Sequence, residues 1–323
     1  MLGVTLFNWY MINRLKKTLF TNSIFIMKKL IGILFISLTA FCFGQQTSQH
    51  SFEINDNWQN LLDKDFSNWE TFVGVPHTSV ELEGHPKSEN VHNGTPIGLN
   101  NDPKNVFSIV DEEGDMVLKI TGEIYAGLTT VQEFGNYHLK VQFKWGEKKW
   151  EPRLDKKRDN GILYHCHGEH GAFWNVWMSG LECQIQEGDT GDFVTLVNAR
   201  ADVVSTKIKD NLYKVTGKKD KSITYGAGNG NPGYCHINSP NEKPNGEWNT
   251  VEVICVGNQS IHVVNGKVVM IVKNARKVIN GEEITLTKGK IQLQSEGAEA
   301  YYKDIQIKSV KKFPKEYKKQ AKL

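Results

Sequence analysis

Residues 137–145 alternate strictly between apolar and polar side chains, and this stretch decides the fold class: Tyr137-His138-Leu139-Lys140-Val141-Gln142-Phe143-Lys144-Trp145. A period of two residues is typical of a β-strand with one buried face. Further strands are predicted on both sides of it, at residues 116–121, 161–166, 181–186, 250–256, 260–264, 267–272, 290–294 and 302–310. No amphipathic helix of ordinary length is evident. Many short strands separated by turns predict one all-β domain, a sandwich or a barrel.

Two connections stand out between the predicted strands. Asn265-Gly266 separates two of them and predicts a two-residue hairpin turn, because both residues tolerate positive φ. Residues 207–247 are rich in Lys, Gly, Asn and Pro, and we expect a long loop there beside the functional site.

The first 44 residues predict export. Met27-Lys28-Lys29 precedes an apolar run over residues 30–43 and then Gly44, which is the pattern of a secretory signal peptide. A membrane span needs about 20 apolar residues, so this run is too short to span comfortably. We expect translation to start at Met27, cleavage after Gly44, and a single periplasmic or secreted domain over residues 45–323. A signal anchor and lipidation of Cys42 are the alternatives.

The net charge and the cysteines indicate which partners and which covalent links to expect. The chain has 39 Lys and Arg against 36 Asp and Glu, and the first 44 residues contain five of the bases and no acid, which leaves 34 against 36 and a net charge of −2. Nothing in this balance indicates a nucleic-acid partner, and no membrane span is expected after signal cleavage. Export permits disulfides among Cys166, Cys183, Cys235 and Cys255, but the apolar neighbours of these residues make buried free thiols an equal expectation.

Polar side chains on two neighbouring strands predict the functional site. On a regular strand Glu182, Gln184 and Gln186 point to one face, while the residues between them point to the core. The same alternation assigns Leu163, His165 and His167 to one face of the other strand, and Ile162, Tyr164 and Cys166 to the opposite face. Glu187 falls on the other face from Glu182, so a carboxylate pair would require a bulge.

Seven motifs in order resemble the DUF1080 family, also called the 3-keto-disaccharide hydrolase domain, over roughly residues 55–310. They are Trp58-Gln59-Asn60-Leu61-Leu62 with Trp69, Phe134-Gly135-Asn136-Tyr137-His138-Leu139-Lys140-Val141, Asp159-Asn160-Gly161-Ile162, Leu181-Glu182-Cys183-Gln184-Ile185, Gly246-Glu247-Trp248-Asn249, Val264-Asn265-Gly266 and Gly289-Lys290-Ile291-Gln292-Leu293-Gln294. The resemblance implies a concanavalin A-like jelly-roll β-sandwich of two antiparallel sheets. It also implies an exported protein that acts on, or binds, oxidised disaccharides and glycosides.

Ordinary glycoside hydrolysis uses two carboxyl groups, and Gln184 and Gln186 stand where jelly-roll glycosidases often have further acids. A sugar with a ketone at C3 has an acidified C2–H and can lose its C1 substituent by elimination, followed by addition of water. We therefore expect His165 or Glu182 to be the general base, with a cation or His167 stabilising the enolate.

Other side chains are candidates for binding. Gln184, Gln186, Asn160, Trp174 and Trp177 are the expected sugar-binding residues, the two tryptophans through their flat faces. A divalent metal site formed by His165, His167, His170 and Glu169 is the alternative to a solvated loop at these residues. Asp189 and Asp192 are further candidates for a cation or for sugar hydroxyls.

A non-catalytic, lectin-like carbohydrate-binding domain is the alternative function. The missing second carboxylate and the common use of this fold in sugar binding favour it.

Overall fold

Two antiparallel sheets contain nearly all of the regular structure in the computed structural model, which describes residues 52–217, 222–226, 228 and 230–323. The described residues belong to the unit Phe52–Leu323. The predicted signal peptide, the start at Met27 and the cleavage after Gly44 lie outside the described residues.

The larger sheet has twelve strands, with the order β12-β11-β17-β16-β15-β7-β20-β5-β4 along its main path and with β1, β13 and β18 beside that path. Its strands are β1 (Gln59–Asn60), β4 (Phe107–Glu112), β5 (Asp115–Ile120), β7 (Tyr137–Lys149), β11 (Ala199–Lys209), β12 (Leu212–Val215), β13 (Ser222–Gly226), β15 (Asn249–Val256), β16 (Gln259–Val264), β17 (Lys267–Ile279), β18 (Glu282–Thr285) and β20 (Ala298–Ser309).

The smaller sheet has eight strands in the order β14-β10-β9-β8-β19-β6-β2-β3. Its strands are β2 (Trp69–Val73), β3 (Gly98–Leu99), β6 (Ala126–Thr130), β8 (Asp159–His167), β9 (Ser179–Gln186), β10 (Phe193–Leu196), β14 (Tyr234–Cys235) and β19 (Lys290–Ser295). The sheets form a jelly-roll sandwich, and this confirms the predicted all-β fold of two antiparallel sheets.

The main hydrophobic core lies between the two sheets. Leu139, Val141 and Phe143 of β7 belong to it from one side, and Leu181 and Ile185 of β9 from the other. The alternation over residues 137–145 therefore buries the predicted face. The expected Asn265-Gly266 hairpin is confirmed as well, because both residues have positive φ between β16 and β17.

The smaller sheet also has an outer face, turned away from the larger sheet, and part of it is covered by a second apolar cluster. Leu163 and Cys166 of β8 pack there against Val176, Trp177 and Met178 from the segment before β9. The rest of this outer face is available for polar side chains.

Residues 207–247 are more regular than expected. The prediction of one long loop is wrong, because β12, β13 and β14 fall within these residues and β13 pairs with β11. Tyr225 of β13 is fully buried in the core. The packing of this side chain into the core stabilises a segment whose polar composition alone predicts a loop.

The structure has free, buried thiols at Cys166, Cys183, Cys235 and Cys255 and no disulfide among these four residues. The helix α1 (Lys315–Ala321) packs against the outer face of the larger sheet through Ala321. Within the described residues, no helix has the length and apolar character needed to cross a membrane.

A β-bulge interrupts β8 near its end. The register against β9 shifts between Tyr164 and His167, and His165 has a φ of 51°. The extra residue reverses the alternation of side chains after Tyr164. Gly289, before β19, lies directly against this bulge, and a Cβ there would be 2.6 Å from the carbonyl oxygen of Cys166.

Gly289→Ala is expected to lower the free energy of unfolding by about 1–3 kcal/mol, because the added methyl group collides with the bulge backbone. Gly135→Ala is the matched control, since its Cβ would lie 3.6 Å from the nearest atom, the carbonyl oxygen of Thr287. Urea denaturation of both variants measures the difference. Equal stabilities would show that the bulge adjusts freely.

Candidate active site

The register of β8 against β9 aligns polar side chains on the outer face of the smaller sheet. In this register Asp159 lies opposite Gln186, Gly161 opposite Gln184 and Leu163 opposite Glu182. Residues opposite each other in an antiparallel pair share a face. The predicted common face of Glu182, Gln184 and Gln186 is therefore confirmed, and Asp159 belongs to it.

Two further charged residues complete this face. Glu296, immediately after β19, forms an isolated bridge with Asp159. Arg153, in the connection between β7 and β8, donates from Nη1 to Glu296 at 2.9 Å and from Nη2 to Asp159. Asp159 also accepts from Gln186 at 2.6 Å. We call Asp159, Glu182 and Glu296, together with Arg153, the carboxyl cluster.

Glu182 is the member of the carboxyl cluster that Arg153 does not contact. Its side chain is only 4% exposed, and it has no hydrogen bond within the described part of the chain. A Cβ on Gly161 would collide with the Oε1 atoms of both Glu182 and Gln294, so the glycine makes the room in which these two oxygens lie. Gln294 Oε1 is buried and has no donor among the described residues.

Burial sets the protonation of the cluster. Burial and the charge on Asp159 raise the pKa of Glu182 well above its usual value. Burial and Asp159 likewise raise the pKa of Glu296, against the effect of Arg153. Burial raises the pKa of Asp159 to about 6, again against Arg153. Three neighbouring carboxyl groups with one guanidinium cannot all ionise near neutral pH, so the cluster contains both proton donors and proton acceptors.

The expectation of a face with one carboxylate is therefore wrong. Asp159 and Glu296 lie next to Glu182 in the sheet although both are distant from it in sequence. One signal was present, since Gln292, Gln294 and Glu296 alternate in the same way as the β9 trio. Nothing in the sequence indicates that Arg153 reaches them.

His165 and Asn160 do not lie with Glu182. The bulge turns His165 into the core, where its ring is 5.6 Å from the ring of Tyr164 and 6.3 Å from that of Tyr137. Burial lowers the pKa of His165 to about 4, which makes it a weak base. Asn160 is fully buried and faces the core opposite Ile185. The assignments of His165 as base and of Asn160 as a sugar ligand are wrong for these reasons.

The bulge also corrects the expected faces of β8, because Cys166 packs with Leu163 on the outer face rather than with Ile162 and Tyr164. His167 donates a hydrogen bond from Nδ1 to the carbonyl oxygen of His165 at 3.0 Å, and its Nε2 lies 2.8 Å from Asn198 Oδ1. These contacts hold it away from the carboxyl cluster, so it is not the group that stabilises an enolate there.

The structure does not assemble the predicted metal set of His165, His167, His170 and Glu169. His165 is in the core, His170 pairs with Glu70 at 3.0 Å, and Glu169 is exposed to solvent. This prediction is wrong because the bulge and the loop after it send the four side chains in different directions.

Another trio could hold a cation by its geometry. Ligand atoms of Asp189, Asp192 and His236 lie within 4.8 Å of one another. Lys157 pairs with Asp189 at 2.5 Å, and the two oxygens of Asp192 accept from His236 Nδ1 at 2.7 Å and from the Ile237 amide at 2.6 Å. Both carboxyl groups of this trio therefore already have protein partners.

The two tryptophans predicted to bind sugar have different environments. Trp177 is 1% exposed and donates its indole N–H to the carbonyl of Ala126 at 3.1 Å, so it is part of the apolar cluster and the prediction for it is wrong. Trp174 is 41% exposed. It remains a candidate for contact with a ligand.

The protein is thus a jelly-roll sandwich with acidic and amide side chains on one outer sheet face. The chain matches the sequence profile of the family described as "3-keto-alpha-glucoside-1,2-lyase-like domain" over residues 57–308, and it belongs to that family. No curated protein sequence matches it significantly.

Solved structures resemble this chain at low identity. A candidate glycosyl hydrolase from Parabacteroides distasonis is 18% identical with a TM-score of 0.43, covering 82% of this chain and 98% of that one. A protein of unknown function with a galectin-like fold from Bacillus subtilis is 10% identical, with a TM-score of 0.41 and coverages of 80% and 98%. The carbohydrate-binding module CBM66 from Bacillus subtilis is 7% identical, with a TM-score of 0.38 and coverages of 63% and 92%.

The raised pKa of Glu182 predicts a stability effect that is independent of any substrate. The folded state holds this proton at pH values where the unfolded state has lost it, so stability falls as pH rises from about 4.5 through the folded-state pKa. Glu182→Gln has no carboxyl group to ionise at this position, so it does not lose stability in this way as the pH rises. The melting temperature of Glu182→Gln relative to wild type is expected to rise steadily between pH 5 and pH 8.

Glu187→Gln is the matched control with the opposite sign. Although burial opposes the shift, a hydrogen bond from Asn245 and the charge of Arg158 lower the pKa of Glu187. The melting temperature of Glu187→Gln relative to wild type is therefore expected to fall as the pH rises through the pKa that this carboxyl group has in the unfolded chain. Parallel curves for the two variants would contradict the assignment for Glu182.

Proposed function

We propose that this protein cleaves 3-keto-disaccharides or other 3-keto-glycosides by proton abstraction at C2 and elimination at C1, followed by hydration. The carboxyl cluster is the observation that supports this proposal, because it combines a carboxyl group free of protein partners with buried proton donors and a fixed positive charge. Membership in the 3-keto-alpha-glucoside-1,2-lyase-like family supports the substrate class.

Each part of the cluster has a role in this reaction. The Glu182 carboxylate removes the C2 proton, and its raised pKa makes it a stronger base than an ordinary carboxylate. The negative charge that develops on the C3 oxygen is stabilised by Arg153. When the C3 carbonyl re-forms, a C1–C2 double bond forms and the C1–O bond breaks, and protonated Glu296 gives its proton to the leaving oxygen. Addition of water across the double bond then yields the free 3-keto sugar.

Export to the periplasm or the medium is part of the proposal. It is supported by the signal-peptide pattern that runs from Met27 to Gly44.

Incubation of the purified protein in D₂O with a 3-keto-disaccharide and with its unoxidised parent tests the reaction. The oxidised substrate alone should be cleaved, and either the unsaturated 3-keto sugar accumulates or the released 3-keto sugar contains deuterium at C2. The released sugar incubated without protein controls for spontaneous exchange. Cleavage that retains the C2 hydrogen would indicate displacement, and binding without cleavage would support the lectin-like alternative.

Glu182→Gln is expected to lower kcat/KM by about 10²-fold or more, because the amide cannot accept the C2 proton. Glu187→Gln makes the same chemical change five residues away, where the side chain pairs with Arg158 instead of the cluster. Steady-state kinetics on the 3-keto-disaccharide compare the two. A Glu182→Gln variant with the activity of Glu187→Gln would remove Glu182 from the mechanism.

The pH dependence tests the coupling within the cluster. A base must be ionised, so activity is expected to rise with pH through the raised pKa of Glu182. Asp159→Asn removes the neighbouring negative charge that contributes to this shift. The acidic limb of the kcat/KM profile should therefore move to lower pH in this variant, and a move to higher pH would contradict the assignment.

A further inference from the structure

Trp174 lies in a segment whose backbone is held in an unfavourable conformation. Trp174 and the next residue, Asn175, both have left-handed φ values, 53° and 58°. This region is an outlier for a bulky residue such as tryptophan, and such strain persists only where surrounding contacts enforce it. Asn175 Nδ2 donates to the carbonyl oxygen of His92 at 2.9 Å, and this bond ties the segment to a separate loop.

Ring contacts fix the orientation of the exposed indole. The ring of His92 stacks on Trp174 with centroids 3.8 Å apart and an angle of 11° between the planes, and Phe173 stacks at 4.5 Å and 25°. Trp174 nevertheless keeps 41% of its surface exposed. A rigid, partly exposed aromatic side chain can bind a ligand with little loss of conformational entropy.

This ring stack adjoins the carboxyl cluster. The ring of His92 lies 6.2 Å from that of Tyr125, and the Tyr125 hydroxyl interacts with Arg153. Burial lowers the pKa of His92, and the positive charges of Lys156 and Arg153 lower it further. The lowered pKa favours the neutral imidazole, which suits stacking against an indole.

We propose that Trp174 and His92 form the subsite for the sugar unit that leaves from C1. This inference rests on the proposed function, since C1, C2 and C3 of the oxidised sugar must lie at the carboxyl cluster. The rest of a disaccharide extends from the C1 oxygen, and the ring stack provides a neighbouring aromatic surface for the C–H groups of that second sugar. The site would thus select 3-keto-disaccharides over 3-keto-glucosides with a small substituent at C1.

The test compares 3-keto-trehalose and 3-keto-maltose with methyl 3-keto-α-glucoside. Trp174→Ala is expected to lower the ratio of kcat/KM for the disaccharides over that for the methyl glycoside by about two- to tenfold, and Trp174→Phe should restore most of it. Ile279→Ala is the control, because Ile279 in β17 is equally exposed, at 41%, on the other sheet. Melting temperatures check that each variant is folded.

Calorimetric binding in a Glu182→Gln background separates this inference from the proposed function. Weaker binding of the disaccharides in the Trp174→Ala variant, with little change for the methyl glycoside, supports the subsite even if wild type cleaves neither substrate. Equal losses for both kinds of ligand would show that Trp174 only maintains the structure. No loss for either would show that the second sugar binds elsewhere, and both results would overturn the subsite.

Discussion

The guanidinium of Arg153 is the positive charge on which the acidic outer face of the smaller sheet depends. A buried carboxyl group without a partner is strongly unfavourable, and Asp159 and Glu296 both accept hydrogen bonds from this one side chain. Glu182 receives no such contact. Arg153 therefore divides the three carboxyl groups into two that it contacts and one that has no hydrogen bond among the described residues.

Strand alternation predicts this face correctly only as far as the strand remains regular. From Asp159 to Tyr164 the side chains of β8 alternate as a period of two requires, and their partners on β9 follow the same rule. At His165 the extra residue of the bulge reverses the pattern, so His165 enters the core and Cys166 leaves it. Nothing in the sequence marks the positive φ at this histidine. Strict alternation therefore assigns His165 and Cys166 to the wrong faces of β8.

The parts of the site that sequence could provide are those on regular strands. Alternation predicts the shared face of Glu182, Gln184 and Gln186, and the same rule applied to Gln292 and Gln294 places Glu296 on that face. Arg153 and Trp174 lie in irregular connections, where side-chain direction follows from tertiary contacts rather than from a period. Asn160 shows the converse limit, since a polar residue beside the family motif is buried in the core with its Nδ2 atom unpartnered.

Three carboxyl groups on one face do not by themselves separate elimination from direct displacement, since displacement also uses a carboxylate pair. The availability of their oxygens instead distinguishes Glu182 from the other two groups. Both oxygens of Asp159 already accept hydrogen bonds, Oδ2 from Arg153 and Gln186 and Oδ1 from the Asn160 amide, and Glu296 Oε1 accepts from Arg153. Asp159 would have to release such bonds to attack C1. Glu182 is free of such bonds, so it is the group best placed to react in either mechanism, and the fate of the C2 hydrogen distinguishes the two.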